Sequence, residues 1–117
     1  MKDSKIVKKG DKMYSVIFEV EIEEGQQEAY LSIAAKLKEQ LVEMPGFISI
    51  ERFESLVNEG KLVSLSFWED EKSLIHWRNN LDHLAAQTEG RASIFKDYRI
   101  RIAKVERDYT MGSSTFQ

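Results

Sequence analysis

Apolar and polar side chains alternate along residues 13–22, MYSVIFEVEI. A period of two that is carried by aromatic and β-branched residues predicts a β-strand with one buried face. The predicted buried face consists of Tyr14, Val16, Phe18, Val20 and Ile22. Ile17 is a large apolar residue on the opposite face, and it indicates that this second face is also partly covered.

Along residues 26–43 the apolar positions change to a spacing of three or four. Such a stripe predicts an amphipathic helix that buries one side. Its members are Tyr30, Ile33, Ala34, Leu37, Leu41 and Met44. Pro45–Gly46 is predicted to end the helix, because proline disfavours the helical conformation in the residue before it. We interpret Tyr30 and Met44 as core residues rather than as ligand-binding groups.

Two further strands are predicted at 47–56 and 61–68, joined by a hairpin turn at Asn58–Gly60. In the first, Phe47 and Phe53 are expected on one face, and Ile48, Ile50 and Leu56 on the other. In the second, Val63, Leu65 and Phe67 are expected on one face, and Leu62, Ser64, Ser66 and Trp68 on the other. Apolar groups on both faces indicate that both faces meet other parts of the protein.

The stretch 65–91 contains both tryptophans and both histidines. Asp70 is predicted to cap a helix after the third strand, because its carboxylate can accept hydrogen bonds from the first backbone amides. Asn79 and Asn80 compete with the backbone for hydrogen bonds, so they are predicted to divide the segment into two short helices. Gly90 is predicted to end the second of them as a left-handed cap.

A last strand is predicted at 94–107. Ile94, Tyr98, Ile100 and Ile102 are expected on one face, and Phe95, Asp97, Arg99 and Arg101 on the other. The alternation loses its phase near Ala103, which predicts a β-bulge there.

The element order is therefore strand, helix, strand, strand, helical segment, strand. This is the βαββαβ order of a ferredoxin-like α+β fold, in which a four-stranded antiparallel sheet carries its helices on one face. The other face would be open although it carries apolar residues, and an exposed apolar face of this size marks an interface. We expect two copies to pack sheet against sheet as a symmetric homodimer.

A length of 117 residues suits one domain. We expect a flexible N-terminal arm at 1–11, the folded domain at 12–109 and a C-terminal tail at 110–117. The net charge of -3 argues against a nucleic-acid partner. No apolar run reaches the roughly 20 residues that cross a bilayer, so no membrane partner is expected. The absence of cysteine excludes thiolate chemistry and fits a reducing compartment, and we expect a cytoplasmic protein.

Three elements in sequence order resemble the antibiotic biosynthesis monooxygenase (ABM) domain family. They are a strand ending in Phe67–Glu69, the segment Trp77–Asn79, and then His83 with Gly90–Arg91. The likeness extends over about residues 14–109. It implies a dimeric α+β barrel with a pocket in each subunit between the sheet and the helices. Some members of the family oxygenate phenolic or quinol substrates without a metal or organic cofactor, and others degrade haem.

On this resemblance we expect a cofactor-independent monooxygenase that acts on a small aromatic or quinol-like substrate. Deprotonation of a hydroquinone would give an electron-rich carbanion that itself reduces dioxygen, so the protein need only orient, desolvate and deprotonate the substrate. The alternative is a non-catalytic small-molecule-binding or stress-response protein on the same scaffold. Fold membership does not decide between them.

Four aromatic residues are candidates for contact with a flat substrate: Phe18, Trp68, Trp77 and Tyr98. The resemblance places Trp68 on the pocket floor, whereas the alternative for both tryptophans is a place in the packed core. Arg91 is a candidate for binding an anionic substrate, and the alternative for it is a structural salt bridge.

His83 is the candidate catalytic base, because imidazole titrates near neutral pH and the residue lies on the helical segment that faces Trp68. His76 is expected to be exposed. Two histidines without a carboxylate at ligand spacing do not form a metal site, so no metal is expected.

Haem degradation is not expected. Haem-degrading members combine a tryptophan at the position of Trp68 with an asparagine on the first strand and a histidine iron ligand on the helix. Counting from Gly25 and from Trp77, these two positions hold Phe18 and Gln87. Phenylalanine cannot donate a hydrogen bond and a glutamine amide is a poor iron ligand, so haem is not expected. The sequence also has no phosphate-binding glycine loop and no flavin motif, so no other cofactor is expected.

Overall fold

The computed structural model describes residues 13–91 and 94–113, and of residues 84–91 it describes the helix but not the side chains. Six elements follow in order: β1 Tyr14–Ile22, α1 Gln27–Leu41, β2 Phe47–Glu54, β3 Lys61–Trp68, α2 Glu71–Arg91 and β4 Phe95–Lys104. The strands form one antiparallel sheet in the order β2-β3-β1-β4. The expected ferredoxin-like α+β fold is confirmed. The predicted arm at 1–11 and the last four residues of the predicted tail lie outside the described residues.

Both helices bury one side in the core that covers a single face of the sheet. That face of β1 is the predicted one, with Val16, Phe18, Val20 and Ile22 all buried. The helices add Tyr30, Ala34 and Leu41 from α1, and Leu74, Trp77 and Leu81 from α2. The spacing of these residues places them on one side of each helix, as the apolar stripe of α1 predicted.

A single unbroken helix, α2, follows β3, so the predicted division at Asn79 and Asn80 is wrong. The buried side of α2 continues across that pair, from Leu74 and Trp77 on one side to Leu81 on the other. Asparagine in a helix costs some tenths of a kcal/mol, whereas burying one large apolar side chain contributes about 1.5–3 kcal/mol. Packing against the sheet therefore outweighs the local preference of the two asparagines.

The two ends of α2 differ in how well they were predicted. At its start, Oδ1 of Asp70 accepts hydrogen bonds from the backbone N (2.8 Å) and Oγ (2.9 Å) of Ser73, so the predicted cap is confirmed. These bonds lower the pKa of the Asp70 carboxyl. At its end, Gly90 lies within the helix and is not a left-handed cap.

The register of β4 differs from the predicted one. The shift in pairing lies between Glu21 and Ile22 of β1, and the predicted bulge near Ala103 is wrong. The shift skips one residue of β4, so Phe95 and Tyr98 both face the helices although they are three positions apart. The expectation that Phe95 lies on the opposite face is therefore wrong, and its burial in the core accounts for the shift.

The register of β2 also shifts, between Phe47 and Ser49. Because of this shift Phe47 pairs with Trp68 on the helix-facing side, while Phe53 lies on the other face. The expectation that the two phenylalanines share a face is wrong. Leu56 lies beyond the end of the strand and is fully exposed.

The face of the sheet that points away from both helices carries an apolar centre. Val63, Leu65 and Phe67 of β3 lie on this open face as predicted, and Ile17 pairs with Leu65. Within one chain no described helix covers the open face. Among the described residues, neither helix is long and apolar enough to span a bilayer.

Charged residues border that apolar centre. Glu19 of β1 forms two ion pairs across the sheet, with Lys61 Nζ at 3.2 Å and with Arg101 Nη1 at 2.8 Å. A hydrogen bond and the positive charge from Lys61, followed by the positive charge of Arg101, hold the pKa of the Glu19 carboxyl below its usual value. Asp97 and Arg99 line the same charged region, which encloses a shallow cavity of about 340 Å³.

Candidate active site

The helix-facing side of the sheet has its shortest side chains in the middle, where β3 carries two serines. Ser64 and Ser66 are both buried and precede Trp68 along the strand. Ser64 pairs with Phe18 of β1 on one side and with Arg52 of β2 on the other. Each serine is smaller than the residues it pairs with, which are Phe18 and Arg52 for Ser64, and Val16 and Ile50 for Ser66.

A tryptophan pair closes one end of this region. Trp68 and Trp77 are stacked with ring centroids 6.5 Å apart and planes inclined by 29°, and the ring of Phe47 meets Trp68 edge-on at 5.4 Å. Nε1 of Trp68 donates a 3.0 Å hydrogen bond to Oγ of Ser66. Nε1 of Trp77 is buried and has no hydrogen-bond partner among the described residues.

A second aromatic group lies at the other end. Phe18 meets Phe95 and Tyr98, each at a centroid distance of 6.1 Å, and Tyr30 of α1 meets Phe95 at 5.7 Å. Tyr98 is 39% exposed, whereas Phe18 and Tyr30 are buried. Tyr98 thus marks where this aromatic group reaches the surface.

The phenol of Tyr30 and the guanidinium of Arg52 place polar groups beside the second aromatic group. Burial raises the pKa of the Tyr30 phenol, and the neighbouring Arg52 guanidinium lowers it in part. The Tyr30 side chain is therefore an uncharged phenol at neutral pH. Nε of Arg52 is buried and has no hydrogen-bond partner in the part of the chain that the structure describes.

Three of the predicted substrate-binding residues, Phe18, Trp68 and Trp77, come together on the helix-facing side of the sheet. All three are at most 1% exposed, so they are also full members of the core. Tyr98 joins them at the edge through its contact with Phe18. The side chain of Arg91, like that of Gln87, lies outside the described residues.

The structure does not bring His83 to this group. His83 is exposed on α2, and the buried positions Trp77 and Leu81 mark the opposite side of that helix. His76 is exposed as predicted. Among the described residues, no group of three metal-ligating side chains is close enough to hold an ion.

Sequence reasoning missed the polar residues of the site. Tyr30 was interpreted as core only, and Arg52 was not considered. The signal for Arg52 is its position two residues after Ile50, which puts a charged residue in phase with an apolar one. The pairing with Ser64 is what places this arginine on the helix-facing side.

A cavity of about 270 Å³, smaller than the one beside Glu19, lies outside the candidate site. It is lined by Met44 and Pro45 from the α1–β2 connection and by Lys72, Ser73 and His76 from α2. The two segments that line it are held together by a backbone hydrogen bond, in which the amide of Glu69 donates to the carbonyl oxygen of Gly46 at 2.8 Å.

Residues 13–89 match the family model described as antibiotic biosynthesis monooxygenase. The chain therefore belongs to the antibiotic biosynthesis monooxygenase family, and the resemblance read from the sequence is confirmed.

One relative with a named activity is a jasmonate monooxygenase from Pyricularia oryzae, which is 43% identical over 93 residues. The alignment covers 80% of this chain and 43% of the relative, so the chain spans less than half of that protein's length.

Solved structures share the fold at low sequence identity. SnoaB, a cofactor-independent oxygenase from Streptomyces nogalater that was solved as a point mutant, superimposes with a TM-score of 0.64 at 14% identity, covering 85% of this chain and 96% of that one. A haem-degrading protein from Mycobacterium tuberculosis gives a TM-score of 0.63 at 15% identity, covering 86% of this chain and 99% of that one. At these identities the likeness concerns the fold alone.

Proposed function

We propose that this protein is a monooxygenase that oxygenates a small organic molecule bound between the sheet and the helices. The observation that carries the proposal is the 43% identity to a jasmonate monooxygenase over 80% of the chain. The interior region supports it, because aromatic groups at both ends and short serines in the middle suit a flat apolar ligand.

The proposed reaction uses the substrate as its own reductant. A hydroquinone-type substrate with an activated methylene loses a proton to give a carbanion, which passes electrons to dioxygen and forms a carbon–oxygen bond. Loss of water from the resulting hydroperoxide leaves a carbonyl group. One oxygen atom enters the product and the other leaves as water, so no external electron donor is consumed. The protein orients the substrate and excludes bulk water.

In this proposal the aromatic residues hold the ring system and a buried donor holds one of its oxygens. Phe18, Trp68 and Tyr98 contact the rings, and the unpartnered Nε1 of Trp77 donates a hydrogen bond to a substrate oxygen. The proposed base is His83. Because its imidazole is exposed on α2, the proton would reach it through water rather than by direct contact.

The experiment measures oxygen uptake by purified protein supplied with a series of hydroquinones and anthrone-type phenols. Enzyme-dependent uptake that persists after chelation is expected. His83→Ala should lower it by about 10²-fold or more, the scale of a lost general base. His76→Ala is the matched control, because His76 is exposed on the same helix and should leave the rate unchanged. A His83→Ala variant with the full rate would remove this residue from the mechanism.

A second candidate function is binding without chemistry. It is favoured by one observation: no histidine among the described residues lies on the helix-facing side of the sheet, while the tryptophans there are tightly packed. Saturable binding of the same phenols without any oxygen uptake would select this candidate.

We further propose that the working unit is a homodimer joined through the open face. An apolar centre with a border of both charge signs is self-complementary about a two-fold axis, because each acidic group can meet a basic one of the other copy. The structure describes one chain, and the homodimer is our proposal for how two such chains associate.

Haem degradation is not proposed. Phe18, at the position compared with an asparagine of haem-degrading members, is packed between aromatic rings and offers no hydrogen-bond donor. Titration with haemin should give no stoichiometric complex with an imidazole-type Soret band. One haem bound per subunit and consumed under ascorbate would overturn this expectation.

A further inference from the structure

Arg52 occupies an unusual place for an arginine. It lies on the edge strand β2 with its side chain on the helix-facing side, opposite the buried Ser64. The residue as a whole is half-buried, yet its Nε is fully buried. The arginine therefore lies at the boundary between the interior and the sheet edge, with its Nε on the interior side.

The buried part of Arg52 lacks a partner among the described residues. Its Nε donates no hydrogen bond there, and a buried donor left without an acceptor destabilises the folded state. Both salt bridges in the described part of the chain belong to Glu19, on the opposite face of the sheet. Among the described residues, no carboxylate forms a salt bridge with Arg52.

A second donor lies beside it. The Tyr30 phenol lies within hydrogen-bonding range of the Arg52 guanidinium, which opposes the effect of burial on the pKa of the phenol. A guanidinium presents Nε–H and an Nη–H as parallel donors that match the two oxygens of a carboxylate. A phenol O–H next to this fork supplies a third donor to the same group.

We propose that Arg52 and Tyr30 form the carboxylate-binding end of the substrate site, so that the natural substrate is a small apolar molecule that carries a carboxylate. This inference rests on the proposed substrate site between sheet and helices and adds its specificity. A jasmonate is itself a carboxylate, which agrees with the activity named for the relative. The apolar body of the molecule would lie over Ser64 and Ser66, toward the tryptophan pair.

The test compares acids with their uncharged methyl esters, by isothermal titration calorimetry without turnover. The probes are jasmonate and methyl jasmonate, and 2-naphthoate and methyl 2-naphthoate. At least one acid should bind the unaltered protein about tenfold or more tightly than its ester. Arg52→Gln should weaken binding of that acid by about 10- to 100-fold, the range for hydrogen bonds to a charged group, and leave the ester unchanged.

Three further variants separate recognition from folding. Arg52→Lys keeps the positive charge but lacks the two parallel N–H donors, so its preference for the acid should lie between those of Arg52→Gln and the unaltered protein. Tyr30→Phe should reduce the preference to a smaller degree. Arg78→Gln removes an exposed arginine of α2 and should change neither affinity.

The outcomes are distinguishable from those of the oxygenation assay. If neither acid binds more tightly than its ester, or if Arg52→Gln keeps the full preference, the carboxylate site is wrong. If the preference exists and depends on Arg52 while no oxygen is consumed, the carboxylate site stands and the monooxygenase proposal fails.

Discussion

The indole of Trp68 donates its hydrogen bond to the hydroxyl of Ser66, two residues earlier on the same face of β3. The hydroxyl in turn lies 3.5 Å from the carbonyl oxygen of Val16 on the neighbouring strand. A short polar chain thus fixes the orientation of the largest side chain on the sheet.

Ser66→Ala should therefore destabilise the protein. It leaves the buried Nε1 of Trp68 without an acceptor, and we expect the free energy of unfolding to fall by about 1–3 kcal/mol. Urea unfolding followed by tryptophan fluorescence measures the change. The matched control is Ser32→Ala, at an exposed position of α1, which should stay within about 0.5 kcal/mol of the unaltered protein.

Gly46→Ala should destabilise the protein more than Gly25→Ala. Both glycines have positive φ, at 82° and 84° respectively, so alanine costs about 1–2 kcal/mol at either position. A Cβ at Gly25 meets open space, whereas one at Gly46 overlaps Oγ and Cβ of Ser73. That overlap should add about 1–3 kcal/mol. The second substitution Ser73→Gly, made in the Gly46→Ala background, should recover part of the added cost.

The ion pairs of Glu19 should make stability depend on pH. The folded state lowers the pKa of Glu19 below 4.5, so its stabilising contribution is present at neutral pH and is lost as the pH falls through the folded-state pKa. The stability difference between the unaltered protein and Glu19→Gln should be largest near neutral pH and shrink below pH 4.5. Urea midpoints measured from neutral to acidic pH test this, with Glu59→Gln as an exposed control. A difference that grows toward low pH would contradict the assignment.

Leu65→Glu should convert the proposed homodimer to a monomer. A charge in the middle of the apolar open face would be buried without a partner in a sheet-to-sheet assembly. Sedimentation equilibrium at micromolar concentration should show twice the chain mass for the unaltered protein and a single chain mass for the variant. Ile75→Glu places the same charge at an exposed position of α2, and it should remain dimeric. A monomeric unaltered protein would remove the basis for this interface.

Features that depend on the pattern of neighbouring residues in the sequence were predicted correctly. The faces of β1 and β3 follow from strict alternation, and α1 follows from one continuous apolar stripe. The Asp70 cap was predictable because its chemistry lies within a few residues of the helix start. In each case the information is contained in adjacent positions.

The errors share a different origin. The register shift beside Ile22 and the one after Phe47 depend on cross-strand packing of distant side chains, which no local pattern contains. The unbroken α2 likewise depends on burial against the sheet. Tertiary contacts decide these features.

The sequence predicted which aromatic residues of the candidate site share one face of the sheet, and it did not indicate the polar residues beside them. Family resemblance pointed to Trp68, and alternation placed Phe18 on the same face. Arg52 of β2 and Tyr30 of α1 come close to each other only in the folded chain, and an arginine in a strand is ordinarily interpreted as exposed. The exposed position of His83 depends on the phase of the whole helix α2.

Two consecutive residues of the edge strand β2 lie on opposite faces of the sheet. Phe53 lies on the open face, and its neighbour Arg52 lies on the helix-facing side. If the proposed homodimer buries Phe53 and the proposed ligand binds Arg52, a displacement of the strand would affect both, and subunit association and ligand affinity would be thermodynamically linked. If the homodimer closes over Phe53, carboxylate affinity should vary with protein concentration across the range in which the subunits associate.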